Sequence, residues 1–102
     1  MVDEPRLSKQ SLRVLGALME AGTKDVSGAE IGRDTKLASG TLYPILMRLE
    51  RARWLQSHWE DGDPSELGRP RRRFYRITAL GQRKATSAFN ELASGFRSLS
   101  WS

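Results

Sequence analysis

The chain has 102 residues, no cysteine, and a formal net charge of +5 from 17 lysines and arginines against 12 acids. That length fits one domain with a small core, which a dimer would reinforce. It excludes disulfides and thiolate metal sites, and no apolar run approaches the roughly 20 residues of a membrane span. The start, MVDEPRLSKQ, lacks the apolar segment of a signal peptide. A cytoplasmic protein without membrane contact is therefore expected.

Residues 8–22 read as a helix capped by Ser8 and stopped by Gly22, with Leu12, Leu15 and Met19 on one side and Val14 and Leu18 beside them. Residues 27–35 form a short second helix. There Ser27 and Glu30 make a capping box, each side chain serving the other's backbone N–H. Residues 39–53 form a third helix with Ser39 as the expected cap. Its apolar stripe is Leu42, Ile45, Leu46 and Leu49, at i, i+3, i+4 and i+7. Pro44 sits early enough in it to cause only a local distortion.

After this helix the apolar period changes from 3.6 to 2. WLQSHWE (54–60) and RRFYRIT (72–78) alternate, and the DGDPSELGRP between them is rich in turn residues, so the pair reads as a hairpin with a long tip. Trp54 and Trp59 are assigned to its core. Thr78 then caps a fourth helix, in which Ala85, Phe89, Leu92, Phe96 and Leu99 follow spacings of 4, 3, 4 and 3. That is a heptad seam of about two heptads.

Helix, short helix, helix, hairpin, helix is the order of a winged helix-turn-helix with an added C-terminal helix. The class is mainly α with a small β-hairpin. The short KLAS turn makes the third helix the recognition helix, whose N-terminal residues face a DNA groove. Ser39, Gly40, Thr41 and Tyr43 lie there, with Lys36 just before and Arg48 one turn later. Small hydroxyls and free N–H groups at a helix start approach phosphates closely, and Lys36 and Arg48 neutralise them. Arg69, Arg71, Arg72 and Arg73 fall in the wing, where arginine suits a narrow minor groove. Glu60, Asp61, Asp63 and Glu66 lie across the same tip and could shield those arginines. The plainer reading is a set of helix caps and a solvated tip; a short turn before an outward-facing set of these residues favours the DNA reading.

Two blocks, KLASGTLYPILMRLERARWLQSHWE and GRPRRRFYRITALGQ, resemble the PadR family of bacterial transcriptional regulators over residues 8–85 or so. Ala79-Leu80-Gly81 departs from the pattern, in which proline and glutamate more often precede the glycine. The resemblance implies a winged helix-turn-helix dimer that represses from a palindromic operator. It puts Ser39, Thr41 and Tyr43 on the recognition helix and Arg69 through Arg73 in the wing. The ending at 102 matches a small subfamily that dimerises through the first helix and a single C-terminal helix. Residues 1–78 are then the DNA-binding domain and 79–102 the dimerisation helix. Leu12, Leu15, Met19, Phe89, Leu92, Phe96 and Leu99 are the candidate dimer contacts.

Some small members bind flat aromatic or drug-like compounds at the dimer interface, which marks Trp101 and Phe96 as candidate effector contacts. The expected partners are double-stranded DNA, a second copy of the chain and such an effector, with no cofactor or metal. The alternative is a winged-helix module for protein–protein contact, against which the wing arginines argue. An enzyme has little support: the single histidine, His58, has no partners for catalysis, and no Walker or Rossmann glycine pattern occurs.

Overall fold

The computed structural model describes residues 4–5 and 7–100, with side chains up to Gly95. The elements are α1 (Lys9–Ala21), β1 (Val26–Ser27), α2 (Gly28–Thr35), α3 (Ser39–Arg51), β2 (Leu55–Trp59), α4 (Pro64–Leu67), β3 (Arg73–Ile77) and α5 (Ala79–Ser100).

Local chemistry sets most of the boundaries. The Ser8 hydroxyl accepts from the Ser11 N–H at 3.1 Å. Gly22, at φ 65°, closes α1 by donating to the Leu18 and Met19 carbonyls. Ser27 accepts from the Glu30 N–H at 3.2 Å, which is the serine half of the expected capping box. At α3 the expected cap moves by one residue. Ala38 is the extended N-cap and contributes no side-chain bond, so Ser39 is the first helical residue and its hydroxyl faces solvent. The α3 stripe falls as expected, with Leu42, Ile45, Leu46 and Leu49 all buried.

The sheet has three antiparallel strands in the order β1-β3-β2, one more than the hairpin read from the alternation. β3 pairs with β2 from Leu55↔Ile77 to Trp59↔Arg73, and its other edge takes Val26 and Ser27 opposite Tyr75 and Phe74. Two residues carry no period, so β1 is invisible to pattern. The long tip also contains α4, one helical turn in which the Asp63 carboxylate accepts from the Ser65 N–H. Gly68 ends that turn at φ 70°, in the left-handed region glycine occupies without a Cβ penalty.

The core joins α1, α2, α3, the sheet and the start of α5. Two sequence assignments are corrected by it. Leu15 is fully buried with Val14 and Leu18, so it packs within its own chain and has no surface to give a partner; Leu12 and Met19 stay partly exposed. Trp54 is a core residue, but Trp59 is 56% exposed because β2 has run past the core by its last residue. In α5, Ala85 is buried in this same core and the Phe89 ring packs over Gly16 of α1. The element boundary at 78/79 is thus crossed by packing. Residues 90–95 are exposed, Leu92 among them at 52%. The side chains of Phe96 and Leu99, and Trp101 as a whole, lie outside the described residues.

Candidate nucleic-acid interface

Burial of the α3 stripe turns the opposite side of that helix to solvent. Ser39, Gly40, Thr41, Tyr43 and Arg48 are all exposed. The first N–H groups of an α-helix have no partner inside it; here the Ala38 cap offers no side chain to those of Ser39 and Gly40.

The wing approaches this helix start. Tyr43 from α3, Gly28 from α2, and Trp59, Arg71, Arg72 and Arg73 from the wing line one groove of about 480 Å³. Lys36 is not part of it. It ends α2 in the left-handed conformation and borders a different groove with Arg13, Glu20 and Asp34. Arg48, farther along α3, lies outside both grooves as well.

Tyr75 and Ile77, both buried, anchor β3, and the arginines N-terminal to them extend outward. They do not form one equivalent set. Arg69 is bound at both nitrogens by Glu60, with Nη1–Oε1 at 2.6 Å and Nη2–Oε2 at 2.9 Å. That bond, aided by the Arg72 N–H, lowers the Glu60 carboxyl from 4.5 to about 2 against the opposing effect of desolvation. Arg73 lies 4.9 Å over the Trp59 ring, and its Nη2 is 3.7 Å from Glu50 Oε2, an oxygen that also accepts from the Ser57 hydroxyl. Arg76 points to the other face of the sheet, where it and His58 flank Asp25. Arg71 and Arg72 are exposed, and among the described residues neither guanidinium has an ion pair.

The alternation places Trp59 inward, because it reports the side of a strand and not its depth, and nothing in the sequence singles out Glu50. Of the four acids expected to shield the arginines, Glu60 does pair with Arg69, whereas Asp63 caps α4 and neither Asp61 nor Glu66 has an ion pair among the described residues.

Among the described residues no cluster of His, Asp and Glu could hold a metal ion, and no helix is long and apolar enough to cross a membrane. A helix-turn-helix whose recognition helix shares a groove with a basic wing defines the winged-helix class. The model of the transcriptional regulator PadR-like family matches residues 23–87, more than half of the chain, and the chain belongs to that family. A PadR family transcription regulator from Clostridium difficile has the same fold at 21% identity and a TM-score of 0.75, with 92% of this chain and 97% of that one covered. A PadR family transcriptional regulator from Eggerthella lenta is 26% identical at a TM-score of 0.62, over 84% and 79% of the two chains. A Staphylococcus aureus MepR variant, solved bound to an oligodeoxyribonucleotide, is 20% identical at 0.66, over 90% and 64%. No curated protein matches the chain.

Proposed function

We propose that the chain is a DNA-binding transcriptional regulator that acts as a homodimer and represses from a palindromic operator. The observation that carries this reading is the shared groove of Tyr43, Arg71 and Arg72 on a chain of a transcriptional-regulator family. The DNA-bound MepR variant of the same fold supports it.

In this reading the start of α3 enters the major groove, with Thr41 and Tyr43 toward base edges and the Ser39 and Gly40 N–H groups toward a phosphate. The wing arginines flank the duplex, and Lys36 and Arg48 add charge along the backbone. Leu12, Met19, Phe89 and Leu92 belong to the dimer surface, with Phe96 and Leu99 continuing the heptad. Two copies then read half-sites about 34 Å apart, and occupancy of promoter DNA excludes the transcription machinery. A flat aromatic effector at that surface, near Phe96 and Trp101, would relieve repression by changing the spacing of the two copies.

A mobility-shift titration against the promoter region of the chain's own gene tests the reading. Binding should fall steeply with salt, each neutralised phosphate contributing about −0.9 to the log–log slope. Binding that is absent, or insensitive to salt, rejects it.

A further inference from the structure

Glu60 occupies a particular place in the wing. It is the residue after β2, and its backbone N–H donates to the Arg72 carbonyl at 2.8 Å. Its carboxylate reaches back across the tip: Oε1 accepts from Arg69 Nη1 and from the Arg72 N–H at 3.2 Å, and Oε2 accepts from Arg69 Nη2. Three donors therefore converge on one carboxylate that is only 18% exposed. Bidentate arginine–carboxylate pairs are the geometrically specific kind. The Arg69 N–H also donates to the Pro64 carbonyl, which fastens the end of α4 to the same point.

We propose that Glu60 is a positioning residue that commits Arg69 to closing the wing tip, leaving Arg71 and Arg72 as the wing's phosphate-binding pair. The reading rests on the DNA-binding function proposed above. Arg69 gives one N–H of each terminal nitrogen to Glu60 and a further Nη1 N–H to the Pro70 carbonyl, so its charge is already matched by a carboxylate before a phosphate arrives. Arg73 is held more loosely, over the Trp59 ring and with Nη2 3.7 Å from Glu50, which turns it toward the sheet and away from the exposed pair. With the tip pinned at both ends, Arg71 and the Arg72 guanidinium project from a fixed backbone, so less side-chain and loop freedom is lost when a duplex binds. Of four basic residues in a row of five, two build the wing and two face outward.

The salt slope counts phosphate contacts and separates these roles. The probe is a fluorescein-labelled duplex of mixed sequence spanning about three helical turns, since backbone contacts need no particular operator. Glu60→Gln with Arg69→Gln removes the pair while conserving net charge. This double variant is expected to bind about threefold to tenfold more weakly, from renewed freedom of the tip, with the wild-type slope. Arg71→Gln and Arg72→Gln should each make the slope shallower by about 0.9 for every wing engaged. A double variant whose slope drops as far as that of Arg71→Gln overturns the assignment.

A second measurement needs no DNA. The Arg69 guanidinium should give a protected NMR signal in the free protein, distinct from those of Arg71 and Arg72, and Glu60→Gln should abolish that distinction. An Arg69 signal that exchanges as fast as that of Arg71 in the wild type overturns the clamp. If the wild-type protein shows no salt-sensitive binding, the DNA reading fails and the phosphate assignment fails with it, whereas the protected Arg69 signal would still establish the clamp.

Discussion

The Tyr43 side chain lies directly over Gly28, so that a Cβ placed on Gly28 would sit 2.7 Å from the phenolic oxygen. This contact joins the recognition helix to the first residue of α2 and holds the ring at the edge of the groove. Gly28→Ala should therefore displace Tyr43, which is 43% exposed and free to swing outward. Stability should change little, because Gly28 is the first residue of α2, outside the helix interior where alanine is favoured, and the exposed ring can move aside. DNA affinity should fall several-fold. Thermal melting and duplex titration of the same variant give the two readouts.

Gly81 gives the opposite result, because the neighbours there cannot move away. A Cβ at this position would collide with the Trp54 carbonyl oxygen and the Ile77 side chain, and its own N–H is already held by the Thr78 hydroxyl at 3.0 Å. Gly81→Ala should cost about 2 kcal/mol or more through overpacking. That corresponds to a fall of about 8–16 °C in Tm for a chain of this size, measured by circular dichroism.

Phe89 and Leu92 separate folding from assembly. Phe89 covers Gly16 of its own chain, so Phe89→Ala should lower stability by roughly 2 kcal/mol, less than for a fully buried ring. Leu92 touches solvent across half its surface. Leu92→Arg should leave the protomer folded and shift sedimentation toward the monomer at micromolar concentration; an unchanged dimer would remove Leu92 from the interface.

Tyr75 predicts an alkaline limit. Burial raises its phenol above the ordinary value of 10.0, so the unfolded chain releases this proton before the folded one does. Its contribution is complete below about pH 10 and is lost as pH climbs from there toward the raised folded value. Denaturant midpoints measured between about pH 9 and pH 11 should fall, and Tyr75→Phe should flatten that decline.

Much of this was legible in the sequence because helices of this size advertise their buried side. The α3 stripe and the Ser8 and Ser27 caps could be read directly, and so could the Thr78 cap of α5. The shift of the α3 cap from Ser39 to Ala38 could not, since the residue types favour serine as the cap and only the backbone shows that the helix begins at Ser39 itself. Leu15 was misplaced because α1 is covered on two sides, and apolar spacing does not say which side meets a partner. The division among the wing arginines was hidden for another reason. It depends on α4 and Gly68 folding the tip back until residue 69 reaches residue 60, a distance set by the turn and not by any local pattern.

Ser27 belongs to two structures at once. It is a rung of the ladder with β3 and the cap of α2, so the wing and the helix-turn-helix share one residue of backbone. A displacement of the wing must drag the start of α2 with it, and Tyr43 rides on the next residue. The chain thus behaves as a caliper whose two jaws, the wing and the start of α3, are set by one strand-to-helix junction. In the dimer proposed above, control would then act on the distance and angle between two such calipers, and the exposed residues 90–95 of α5 are where that adjustment would be made.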